Sequence, residues 1–115
     1  MKYMLLMRGN GTSSDGEAAA RVCEAGWPAW AEEMQQRGVV LHGGGALEAA
    51  GHSATVQVSG PQVLVTDGPF AETKELVGGY HLIECASRDE AIHAASRHPL
   101  AQSGVTIEVR PVLPR

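Results

Sequence analysis

The sequence predicts an α+β domain of the ferredoxin-like, split βαβ type with an inserted hairpin, and three observations predict it. Apolar or alternating runs occupy residues 2–8, 39–42, 80–85 and 105–110, the places where four strands belong. A stretch of helical spacing, introduced by Ser-x-x-Glu, lies between the first and second runs, and another between the third and fourth. Between the two halves sits an alternating pair, 54–58 and 63–66, joined by Ser59-Gly60-Pro61-Gln62, which reads as a β-hairpin. At 115 residues, the chain is sized for one domain spanning 1–115. Its residues are 43% apolar but only 4% aromatic, so the core must be packed from Val, Leu, Ile, Ala and Met rather than from rings.

Each element has its own warrant. Residues 2–8 are almost continuously apolar, as a central strand covered on both faces should be. Ser14-Asp15-Gly16-Glu17 has the spacing of a capping box and opens a helix carrying Ala18, Val22 and Ala25. Pro28 removes an amide donor, which predicts a kink or a second short helix from that point to Gly38. Trp27, Trp30 and Met34 form a stripe expected to face the sheet as ordinary core. The second strand ends at His42, and Gly43-Gly44-Gly45 follows as a place where backbone turns sharply or approaches a ligand. No Gly-x-Gly-x-x-Gly or Lys-Ser/Thr sequence accompanies these glycines, so a phosphate loop is not supported. Ser87-Arg88-Asp89-Glu90 is a second capping box, with Ala91, Ile92 and Ala95 on the buried stripe and His98-Pro99 as the stop.

In such an arrangement both helices cover one sheet face. The other face, which carries half of an apolar central strand, needs a cover, and a second copy of the sheet is the simplest one. A homodimer closed by sheet-on-sheet packing is therefore expected.

Charge and cysteine usage narrow the function classes. Nine basic against thirteen acidic residues give a net charge of -4 with no basic cluster, which argues against direct nucleic-acid binding. The apolar run at the N-terminus ends at Arg8, too early for a secretory leader, and no window approaches a membrane span. A cytoplasmic protein without membrane partners is expected. Cys23 and Cys85 have neither metal-knuckle nor Cys-x-x-Cys spacing, and both read as small buried hydrophobes.

The densest chemistry lies in 65–80, where Asp67, Glu72, Lys74 and Glu75 crowd against Gly68-Pro69 and Phe70, the chain's only phenylalanine. The run Asp67-Gly68-Pro69-Phe70-Ala71-Glu72-Thr73-Lys74-Glu75 resembles the signature of the DGPF-domain branch of the YCII-related family. The similarity extends to Lys2-Tyr3-Met4-Leu5-Leu6, to Asp89-Glu90-Ala91 with His98-Pro99, and to the closing Glu108-Val109-Arg110-Pro111-Val112. The resemblance implies a dimeric α+β barrel. It also implies, for some members, a His-Asp pair in the dimer cleft with the histidine on the first helix. Here 17–37 contains no histidine, and only Asp67 carries over. Association of such proteins with extracytoplasmic-function sigma factors implies a regulatory setting and no chemistry.

Two readings of Asp67 stand side by side: a carboxylate capping the Gly-Pro turn, or a general base and ligand anchor in a cleft. His42, at a strand end beside three glycines, is the best-placed catalytic partner, while Lys74, Glu72 and His81 are candidate ligand-binding residues. Asp67, His42 and His81 lack short metal-ligand spacing, and no Gly-x-Ser-x-Gly elbow is present, so neither a metal, another cofactor nor a serine nucleophile is expected. The function these residues point to is binding of a small polar molecule with acid-base chemistry. The alternative is a non-catalytic binding or regulatory module.

Overall fold

The computed structural model describes residues 1–9, 13–48, 50–68 and 76–114. In chain order it contains β1 (Lys2–Gly9), α1 (Ser13–Gln36), β2 (Val40–Ala46), β3 (Ala54–Ser59), β4 (Gln62–Asp67), β5 (Leu76–Glu84), α2 (Arg88–Arg97), α3 (Pro99–Gln102) and β6 (Thr106–Pro111). Four strands form an antiparallel sheet in the order β2-β5-β1-β6, and β3 with β4 forms a separate two-stranded sheet. This is the split βαβ order, with the hairpin inserted between its halves.

β1 is interior, which is why it is apolar along its length. Tyr3, Leu5 and Met7 turn one way and are buried with Ile83, Cys85, Trp30, Met34, Val39, Leu100 and the alanines of α2. Met4, Leu6 and Arg8 turn the other way and are half-buried. On that open face Leu82 lies opposite Met4 and Tyr80 opposite Leu6, while Arg110 and Glu108 flank the same two residues from β6. The open face therefore has an apolar centre and a charged margin.

Helix α1 runs unbroken through Pro28, so the expected second helix does not form. Pro28 and Glu24, whose carbonyl loses its donor, both face solvent, where water can serve the freed group. The inward stripe is also rotated from the expected one. Trp30 and Met34 are buried, but Trp27 is 41% exposed and Val22 36% exposed, and Cys23 and Gly26 turn inward instead. The cause is a close approach of two helices: a Cβ on Gly26 would lie 2.7 Å from the Pro99 Cβ. Gly26→Ala should therefore cost about 1–3 kcal/mol in urea denaturation, because overpacking against a rigid proline outweighs the roughly 1 kcal/mol gain in helix propensity.

The side chains of Ser14 and Glu17 lie outside the described residues, so their capping box does too. The second capping box is present in altered form. Ser87 accepts from the Glu90 N–H at 3.2 Å, whereas the Glu90 carboxylate reaches the Ala86 N–H at 3.0 Å. In α2 the buried residues are Ala91, Ala94 and Ala95, and Ile92, expected inside, is 40% exposed. Ile92 instead borders a shallow groove with Ala101, Ile107 and Val109.

The glycine run is not a turn. β2 continues through Gly43, Gly44 and Gly45 to Ala46, paired to β5 throughout. The β3–β4 hairpin turns tightly at Gly60-Pro61 and presents Val56, Val58, Val63 and Val65 on one face, all 58–67% exposed.

Candidate functional site

The structure gathers histidines into two clusters on opposite faces of the four-stranded sheet. The outer one depends on a β-bulge. Leu41 pairs with Ile83 and Gly43 with Leu82, leaving His42 as the extra residue between them. A bulge re-aims the side chain it carries. His42 Nε2 lies 2.7 Å from Glu84 Oε1 on the open face, with both side chains half-exposed. The hydrogen bond from His42 holds the Glu84 carboxyl below its ordinary range, helped by the charges of His42, the N-terminus and Lys2. At the far margin of this face, Arg8 and Arg110 share the Glu108 carboxylate, each through its Nε and a terminal nitrogen. Two guanidiniums on one carboxylate leave that margin net positive.

The inner cluster faces the helices. His81 pairs across from Leu5, which puts its ring on the core side of the sheet. There it meets His98 and Trp30, with ring centroids 4.8–5.1 Å apart in all three pairs. Trp30 is fixed by donating its Nε1–H to the Ala94 carbonyl at 2.9 Å. His98 is fully buried between α2 and α3 and caps α3, its Nδ1 accepting the Leu100 N–H at 3.1 Å. That acceptor role sets the tautomer. A neutral His98 must carry its proton on Nε2, which lies 3.2 Å from His81 Nε2 and donates to it. His81 Nε2 is then the acceptor, and a neutral His81 carries its proton on Nδ1. Burial depresses both imidazoles, with His81 adding to the effect on His98, whose pKa falls from 6.5 to about 4. Both rings are thus neutral at pH 7.

Cys23 lies beside this pair, and its Sγ and the two imidazoles place ligand-type atoms within 4.8 Å of one another. The set has the composition of a zinc site, but its hydrogen bonding opposes one. Coordination needs a bare Nε2 on His98, and the Leu100 N–H keeps that nitrogen protonated. Burial, with Glu24 nearby, also raises the Cys23 thiol above its usual pKa, away from the thiolate that a metal or an electrophile would need.

Of the residues expected from sequence, His42 and His81 fall in these two clusters and are separated by the sheet. His42 pairs with Glu84 rather than with Asp67. Asp67 ends β4 at the root of the hairpin and is exposed. Next to it Gly68 adopts φ +90°, its N–H bonded to the Ser53 carbonyl and its carbonyl accepting from Thr55 Oγ1. Glu72 and Lys74 lie outside the described residues. Nothing in the sequence singles out Glu84, while His98 reads there only as a helix stop and Gly44 only as part of a glycine run. Period-two alternation places Glu84 on the face opposite His81 and Ile83, and that was the only available signal for it.

Comparison with known proteins follows the same line. The sequence model of the YCII-related domain matches residues 1–114. An uncharacterized protein of Rhizobium meliloti (strain 1021) is 46% identical over 61 residues, covering 52% of this chain and 49% of that protein. The chain thus aligns with about half the length of that curated relative.

Proposed function

This chain belongs to the YCII-related family, and from that premise we propose that it is a cytoplasmic homodimer that binds a small polar molecule over the open sheet face and performs acid-base chemistry on it. The observation that carries the reading is the His42–Glu84 pair at 2.7 Å on a strand bulge. Glu84 accepts the Nε2–H of His42, which leaves Nδ1 as the base and stabilises the imidazolium formed when Nδ1 takes a proton. The Arg8–Glu108–Arg110 margin favours an anionic group on the ligand. Asp67 serves as a further anchor at the hairpin root, and Lys74 and Glu72, which follow it in the sequence, supply charged contacts.

The second copy supplies enclosure. Met4, Leu6, Tyr80 and Leu82 form an apolar centre with a charged margin, the anatomy of an interface core and rim. None of the described helices is long and apolar enough to cross a membrane.

Ligand-observed NMR against a panel of small hydroxy and keto acids tests the reading. Wild-type protein should bind at least one member, and His42→Ala should weaken that binding tenfold or more while the dimer persists by light scattering. Equal binding by His42→Ala, or no binding by any member, rejects it. Asp67→Ala should leave the thermal midpoint within about 3 °C of wild type, because the hydrogen bonds of Gly68 already fasten the turn. A fall larger than that, worth about a kilocalorie, would make Asp67 a turn cap.

A further inference from the structure

We infer that the helix side of the sheet holds a second ligand subsite, in which His81 offers a fixed Nδ1–H donor to the oxygen of a small carbonyl or carboxylate compound. His98 is the residue that fixes it. The inference goes beyond the open-face reading, since the two locations are separated by the sheet, and it stands on a directional chain of hydrogen bonds. The Leu100 N–H donates to His98 Nδ1, and His98 Nε2–H donates to His81 Nε2. The proton of a neutral His81 is thereby forced onto Nδ1, the less populated position of a free imidazole. A buried backbone amide at the start of α3 thus dictates which nitrogen of a ring on β5 is the donor.

The surroundings suit a ligand oxygen better than a cation or a packing contact. His81 Nδ1 lies against Gly44 of β2, where an added Cβ would come within 2.5 Å of it. Among the described residues no acceptor meets that donor. His81 stays partly open to solvent, and Gly43 and Gly45 are exposed with no side chain to cover it. Trp30 and His98 give the ring rigid walls, so the donor cannot swing away. A neutral, oriented N–H beside an open backbone floor recognises a carbonyl or carboxylate oxygen by hydrogen bonding.

The test uses the full-length protein with 15N-labelled histidine, with pyruvate as probe because it carries both oxygen types. At pH 7.5 wild-type His98 should show the Nε2–H tautomer and His81 the Nδ1–H tautomer. Pyruvate should give saturable shifts at His81 and at the Gly44 and Gly45 amides. His98→Asn keeps an acceptor for the Leu100 N–H but is too short to reach His81. In that variant His81 should revert to the Nε2–H tautomer and pyruvate affinity should fall at least fivefold, with the amide spectrum otherwise preserved. An Nε2–H tautomer at wild-type His81 overturns the proposal. So does the absence of saturable shifts, or shifts confined to His42 and Glu84. Addition of Zn2+ should leave both histidine signals in place, and a stoichiometric change at His81, His98 and Cys23 together would replace the relay with a metal centre.

Discussion

Gly44→Ala is expected to lower stability by about 3 kcal/mol, a fall of roughly 12 °C or more in the thermal midpoint for a domain of this size. The added Cβ would collide with the Tyr80 carbonyl oxygen, with His81 Nδ1 and with His81 Cα, and two of these three are backbone. Backbone cannot rotate aside, so β2 would have to separate from β5 along the register that includes Gly43, Gly45 and Ala46. Gly45→Ala is the control. Its Cβ would meet only a Tyr80 ring carbon at 3.9 Å, an ordinary contact, and its cost should stay below about 1 kcal/mol. Equal losses for the two variants would show that strand propensity, and not the close approach, decides the position.

Acidification should destabilise the protein well before its carboxylates titrate. His98 has a pKa of about 4 in the folded chain against 6.5 when unfolded, so between these values the unfolded state binds the proton and the folded state does not. Its contribution is fully present above pH 6.5, is lost progressively as pH falls towards 4, and changes no further below that. The total is on the order of 3 kcal/mol, with His81 acting in the same direction. Glu33, Glu84 and Glu108, held low by their Arg and His partners, add their loss only below about pH 4.5. Denaturation midpoints measured at pH 7.5, 6, 5 and 4 should therefore decline across the histidine window in wild type. The decline should flatten markedly in His98→Asn, which keeps the α3 cap without a titrating group. A slope unchanged by that substitution would assign the acid sensitivity elsewhere.

Much of the architecture was legible in the sequence, because it is written in local patterns. The apolar run of β1, the alternation of β6, the turn at Gly60-Pro61 and the Ser87 cap each act within a few residues. What was not legible depends on distances between elements. The exposure of Trp27 follows from Gly26 meeting Pro99, a contact 73 positions apart in the chain. The unbroken α1 follows from Pro28 facing water, which helical spacing alone did not reveal. The site divides in the same way. His42 stood out because it adjoins a glycine run, but its partner Glu84 is set by strand register, and a bulge shifts that register by one residue. His98 looked like a helix stop and is one. Its second role, orienting His81, depends on packing between α2, α3 and β5.

The β3–β4 hairpin has a consequence for the lifetime of the chain in solution. Across 54–67 the only ionisable side chain is Asp67 at the end, and the only proline sits in the turn, so neither strand carries a charged gatekeeper. Four valines cover one face, and the two strands pair only with each other in their small sheet. A β-branched, uncharged segment with unpaired outer edges is a template for cross-β growth. Self-association through this arm is therefore expected to grow with protein concentration while the core stays folded. The lifetime of the chain is then a question of concentration and rate as well as of free energy.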